Sequence, residues 1–319
     1  MKNSYRPEGS LIFLEENLEY ISSLAGLEKA FTEGRILEST VLLCDSSMRL
    51  HVDLRGISGI IEREESVFCR EGEVIKDIAV ITRVGKPVCF KITGFKKENG
   101  KTVAILSRRE AQKECHFNSL SELRDGDIIS AKVTHLESFG AFVDVGCGLS
   151  SLLTVDNISV SRISHPRDRL TVGEDIYVVV KSRDETSGRI YVSMKELLGT
   201  WQENASMFEV GQTVSGIVRS IEEYGVFVEL APNLAGLAEI RDDTRDAEIA
   251  KVGSTTAVYI KSILPDRMKI KLVLIDGYGA SSPDKPPKYF IDCQNIKHIS
   301  HWRYSPPHAQ KIVESIFDK

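Results

Sequence analysis

Two segments of this chain, GDIISAKVTHLESFGAFVDV (Gly126 to Val145) and GQTVSGIVRSIEEYGVFVEL (Gly211 to Leu230), align without a gap. Phe139 falls on Tyr224, Gly140 on Gly225, Phe142 on Phe227 and Asp144 on Glu229. Glycine, apolar alternation and then aromatic-Gly-x-Phe-Val-acid, occurring twice, make a repeated module, and a repeat restricts the fold before any single element does. Strands send successive side chains to opposite faces, so Phe139 and Phe142 are expected to share a face through a bend or bulge that Gly140 allows.

From Gly34 to about Ile275 the texture is short β-branched runs separated by Gly, Asp, Asn and Ser, the pattern of strands and turns. Ser107–Leu123 and Met194–Phe208 are richer in helix formers and read as helical connectors. The expected organisation is a helical segment over 1–33, modules over 34–108, 123–195 and 209–276, connectors over 109–122 and 196–208, and a linker with a C-terminal extension over 277–319. Each module of roughly 70 residues carries about five strand-like runs, which suggests a small closed Greek-key barrel of the OB type. The fold class is therefore all-β modules, three tandem five-stranded OB-fold barrels. In the first segment Leu14, Leu18, Ile21, Leu24, Leu27 and Phe31 predict one apolar helix face. At the other end, GYGASSPDKPP reads as a linker and HAQKIVESIF as a final helix. Tyr289, Phe290, Trp302 and Tyr304 are expected on the third module, with HWRY as an RNA-contacting patch the second reading.

A net charge of −5 argues against coating duplex DNA, whereas single-strand binding needs only a local basic groove beside stacking rings. The apolar run Leu11–Leu14 is too short for a signal or a membrane span, so a cytoplasmic protein with no membrane partner is expected. The six cysteines are scattered, and Cys293, His298, His301 and His308 fit no standard zinc spacing; no metal or cofactor is expected. Gly146–Gly148 lacks the helix of a dinucleotide fingerprint, and no nucleophile with its base emerges, so catalysis is not expected.

FGAFVDVG, LSSLLTVDNIS and VVVKSRDETSGRIYVSMKEL resemble the S1 RNA-binding domain family, the OB-type barrels repeated in bacterial ribosomal protein S1. YGVFVELAPNLAGLAEI extends the likeness to the third module, and GKTVAILSRREA and HVDLRGISGII extend it more weakly to the first. The resemblance implies a face for single-stranded RNA, mRNA or rRNA. In that family the face consists of two rings of the first hairpin, a residue on the third strand, and an Asp and Arg near the last hairpin. Carried over, these are Phe139, Phe142, Thr154, Asp184 and Arg189 in the second module, and Tyr224, Phe227, Asp266 and Lys269 (or Arg267) in the third. Many members have histidine where this chain has Thr154 and Glu239, and Glu239 is expected to repel phosphate. Arg162, His165, Arg167 and Arg169, on a long excursion, either border the groove as accessory contacts or form a solvated loop. Lys132 and Lys181 either touch phosphates or snorkel to solvent.

The first module shows SSMRLHV in place of the rings, with Met48 and Leu50 read as core residues. By resemblance it docks on the ribosome or its proteins. The implied function is non-catalytic RNA binding in translation or RNA metabolism. The alternatives are an interaction scaffold docking on the ribosome or another RNA machine and, more distantly, an accessory part of an RNA-processing complex. Exposure of Phe139, Phe142, Tyr224 and Phe227 separates RNA binding from the scaffold.

Overall fold

The computed structural model describes residues 5–69, 74–184, 189–239, 251–280 and 287–318. The chain forms two compact units, the first containing residues 1–123, 130–132 and 144–150 and the second the remainder. The fold is mostly β, arranged as closed five-stranded barrels.

In the first unit, α1 (Glu15–Ile21) and α2 (Leu24–Glu33) replace the single helix that the spacing predicts. Ser23 is extended and its hydroxyl accepts from the Gly26 N–H, so it caps α2 and breaks the helical phase. Ile21 and Leu27 are consequently buried with Tyr20 and Ala30, while Leu14, Leu24 and Phe31 stay exposed. The following strands are β1 (Leu37–Cys44), β2 (Leu50–Leu54) and β3 (Ile57–Ile61), then, after α3 (Asp77–Ile81), β4 (Pro87–Glu98) and β5 (Lys101–Ser107). They close in the order β1-β2-β3-β5-β4, with β3 and β5 parallel. Val41, Leu50, Val52, Leu54, Phe90 and Leu106 fill the barrel, and Tyr20, Ile21 and Leu27 join the same cluster. Burial of such a side chain contributes roughly 1.5–3 kcal/mol. Leu50 is thus core as read, and Met48 packs half-buried against it. Ser107 then caps the helical connector α4 (Arg108–Asn118).

The next barrel uses β6 (Ile128–Glu137), β7 (Gly140–Asp144), β8 (Ser150–Thr154), α5 (Val155–Ile158), β9 (Asp175–Arg183) and β10 (Ile190–Ser193), closing as β10-β8-β7-β6-β9. After α6 (Trp201–Ala205), β11 (Thr213–Glu222), β12 (Gly225–Ala231), β13 (Leu234–Ala238), β14 (Ser254–Leu264) and β15 (Lys269–Ala280) close as β11-β12-β13-β15-β14. In each barrel the third and fifth strands pair in parallel. β15 continues through Gly277–Ala280, where the sequence reading starts a linker; residues 281–286 of that stretch lie outside the described residues.

The C-terminal segment differs from expectation in three ways. β16 (His301–Arg303) pairs antiparallel with β17 (Glu314–Ile316), so the predicted final helix is a strand. The reason is a period-two alternation, with Val313, Ser315 and Phe317 half-buried and Ile312, Glu314 and Ile316 exposed. Tyr289 packs edge-on against Tyr177 of the second barrel, not on the third, and its hydroxyl accepts from the Tyr177 N–H (2.9 Å). Trp302 and Tyr304 do join the third-barrel core, and their burial removes HWRY as an RNA-contacting ring patch.

Asn233, fully buried, links the second unit's parts. Its Oδ1 accepts from the Val160 N–H (2.9 Å), its Nδ2 donates to the Lys195 and Gly199 carbonyls (both 2.8 Å), and its own carbonyl accepts from the Tyr304 hydroxyl (2.6 Å). Among the described residues, no helix is long and apolar enough to cross a membrane.

Candidate nucleic-acid interface

Phe139 shares a face with Phe142 because it does not belong to a strand. It sits in the two-residue turn between β6 and β7, where strand alternation does not apply. The shared face thus comes from the turn before Gly140 and not from a bend or bulge that Gly140 allows within the strand. Gly140 is required for a different reason: a Cβ there would lie 2.5 Å from the Leu153 carbonyl oxygen, so only glycine lets β7 approach the end of β8. Phe139 is 53% exposed and Phe142 half-buried, with centroids 6.0 Å apart and planes at 89°. The pair therefore presents one open ring face supported by an edge.

The third barrel repeats this geometry. Tyr224 occupies the β11–β12 turn at 63% exposure, 6.2 Å from Phe227 with planes at 90°. The acids ending the two motifs turn inward. Asp144 accepts from the backbone N–H groups of Glu8 (2.7 Å), Gly146 and Gly148, and burial, reinforced by the Glu8 charge, pushes its carboxyl up to about 7. Glu8 is itself raised by burial, but the Arg108 guanidinium outweighs that and holds it below the ordinary range. Glu229 receives a bidentate fork from Arg169 and a second guanidinium from Arg219 (2.7 Å).

Of the other candidates in the second barrel, Thr154 is brought to the rings. The neighbouring Val155 N–H donates to the Phe139 carbonyl (2.9 Å), and the Thr154 hydroxyl accepts from Asn157 Nδ2 (2.6 Å). Asp184 and Arg189 meet across the β9–β10 hairpin, the Asp184 N–H donating to the Arg189 carbonyl (2.9 Å), and Arg189 is exposed. Because Tyr191 of β10 lies opposite Leu152 of β8, Arg189 sits towards the start of β8 and Thr154 at its end. Candidate contacts are thus strung along the barrel face. In the third barrel Asp266 and Lys269 are both exposed in the β14–β15 hairpin. Glu239 lies 3.6 Å from Lys271, an exposed pair that offsets the repulsion expected of it.

A family model described as S1 RNA binding domain matches residues 122–195. The small ribosomal subunit protein bS1 of Staphylococcus epidermidis is 30% identical over 284 residues, covering 83% of this chain and 67% of the relative. The chain belongs to the bS1 family. The bS1 proteins of Staphylococcus aureus (28% over 281 residues, 83% of this chain and 67% of the relative) and Rhizobium meliloti (27% over 277 residues, 83% and 47%) are also similar to it.

In this bS1-family chain the accessory candidates divide. Arg162 and Arg167 are exposed on the excursion, and Lys132 is half-buried on β6. His165 Nδ1 accepts from the Arg167 N–H (3.1 Å) and caps the turn Pro166–Asp168. Arg169 leaves the accessory set: its side chain is 8% exposed because its fork is closed on Glu229.

Two rings escaped the sequence reading. His135 stacks on Phe142 (6.4 Å, 30°) at the position of Ser220 in the third barrel, extending the second barrel's rings to three. In the first barrel, Leu43 pairs with His51 after the same register shift that sets Ser220 opposite Phe227, so His51, not Leu50, occupies the second-ring position. The Asp45 carboxylate there contacts His51 Nε2 (3.0 Å) and accepts from Arg49 Nε (2.8 Å). Register could have found both histidines, since each lies one cross-strand step from a recognised position.

Proposed function

We propose that this bS1-family protein binds single-stranded mRNA or rRNA through its second and third barrels and acts in translation without chemistry of its own. All three barrels, within 34–108, 123–195 and 209–280, are read as OB-type S1 modules, since the strand order 1-2-3-5-4 recurs in each. The observation that carries the proposal is the paired rings at equivalent positions of two barrels, with Phe139 and Tyr224 each more than half exposed. Exposed rings stack on unpaired bases regardless of sequence, and every base offers a face. Thr154, Asp184 and Arg189, with Asp266 and Lys269, supply polar and charged contacts to ribose, base edge and phosphate. Arg162 and Arg167 extend the cationic border.

The first barrel has His51 beside Asp45 and Arg49 in place of a ring pair, which favours docking on the ribosome over base stacking. A cytoplasmic site of action follows from translation. Titration of a labelled, unstructured RNA into the full chain tests the proposal: saturable, salt-sensitive binding supports it. No binding at low salt would favour the interaction scaffold.

A further inference from the structure

We infer that the second barrel carries a built phosphate site beside its rings, in which the ammonium groups of Lys181 and Lys195, gathered by Asn157, receive a backbone phosphate of the bound strand. The inference rests on the reading of this barrel as an RNA-binding module.

Asn157, 4% exposed, lies on α5 three residues after Thr154 and directly after Asp156. Its backbone carbonyl accepts from the Met194 N–H (2.8 Å) and the Ser193 hydroxyl (3.2 Å), which fixes its position. Its Nδ2 donates to the Thr154 hydroxyl, which fixes which way the amide faces. The remaining Oδ1 accepts from Lys181 Nζ (3.1 Å) and from Lys195 Nζ (3.0 Å). Two ammonium groups on one oxygen are at most about 6 Å apart, close enough to share one tetrahedral anion. Each ammonium has three donors, and this oxygen takes one from each.

The shared acceptor is a neutral amide, so it orders the two cations without cancelling either charge. Two acids lie nearby. The Thr154 hydroxyl bonded to Asp156, with both lysine charges adding, holds its carboxyl below the ordinary range. Glu196 is buried and accepts from the Ser193 hydroxyl. Among the described residues, neither acid forms an ion pair with Lys181 or Lys195, so neither closes on the ammonium groups. The Val155–Phe139 backbone bond ties the site to the ring-bearing turn, so a nucleotide stacked there carries its phosphodiester towards the lysines. Among its described residues, the third barrel lacks the second lysine. Leu153 lies opposite Val192 as Ala238 lies opposite Leu272, which places exposed Ile275 at the position of Lys195.

The test is fluorescence anisotropy of labelled oligouridylate with the full chain over a series of salt concentrations. The chains compared are the wild type, the double variant Lys181→Gln/Lys195→Gln, and Asn157→Asp. The lysine variant is expected to bind about five- to tenfold more weakly at low salt, with the log–log salt slope shallower by about 0.7 for one lost phosphate contact. Asn157→Asp keeps the shape but puts a carboxylate between the ammonium groups, and is expected to lose affinity similarly, so the result does not depend on the lysine variant's folding. Wild-type affinity and slope in both variants would overturn the phosphate site and leave the RNA reading standing. Weaker binding with an unchanged slope would also overturn it, marking a packing effect. Absence of wild-type binding would end both readings.

Discussion

Removing the Glu229 carboxylate is expected to destabilise the third barrel severely. Glu229 is 4% exposed, and the guanidinium groups it holds, Arg169 and Arg219, are 8% and 10% exposed, so solvent screens none of the three strongly. In Glu229→Ala both cations remain buried, and among the described residues Asp168, 3.5 Å from Arg219, is the one anion still paired with them. Taking one partner from a buried ion pair costs about 3–5 kcal/mol, because the remaining charge stays desolvated. With a urea dependence of about 2 kcal/mol per molar, the unfolding midpoint should fall by about 1.5–2.5 M. Both tryptophans of the chain, Trp201 and Trp302, lie in the third-barrel core cluster, so intrinsic fluorescence reports on this barrel. Arg169→Ala, which leaves Glu229 paired with Arg219, should cost less than half as much. A Glu229→Ala midpoint within about 0.3 M of wild type would refute the buried-charge reasoning.

Glu38 predicts a pH dependence of the first unit. It is fully buried, Oε2 accepts from the Gly9 and Leu11 N–H groups, Oε1 has no partner among the described residues, and burial raises its carboxyl from 4.5 to about 7. The native state therefore holds the proton more tightly than the unfolded chain. The stability it contributes is full below about 4.5 and lost as the pH rises through 7. Hydrogen exchange of β1 amides, corrected for intrinsic rates, should show stability about 1 kcal/mol lower at pH 8 than at pH 6, and Glu38→Gln should remove that share; a wild type flat over this range would contradict it. Asn233→Ala leaves the buried Gly199 carbonyl and the part-buried Val160 N–H and Lys195 carbonyl without their partner, and should cost about 2–4 kcal/mol in the tryptophan-detected urea assay; a loss under about 1 kcal/mol would contradict that.

The barrels and rings were legible because they repeat. Gly126–Val145 and Gly211–Leu230 carry the same alternation, and a turn aromatic three positions before a strand Phe survives translation from one copy to the other. What was not legible depends on partners distant in sequence. Arg169 reads as either a groove cation or part of a solvated loop, and it is neither, because Glu229, from another barrel, closes on it. Asn157 carries no signal of its own in the sequence, and only the fold brings Lys181 and Lys195 to its amide. The helix expected over HAQKIVESIF failed because its apolar residues suit either period, and pairing with His301–Arg303 selected the strand. The break at Ser23 was readable in principle, as a serine whose hydroxyl can cap the turn that follows.

The central claim, that the exposed rings hold unpaired bases, is tested most directly by comparing RNA binding of wild type, Phe139→Ala/Phe142→Ala and Tyr224→Ala/Phe227→Ala at two salt concentrations. Stacking contributes about 1–3 kcal/mol per base, so each ring variant should bind tenfold or more weakly with the salt slope largely retained. Wild-type affinity in both ring variants would contradict the account, placing the binding face away from the rings.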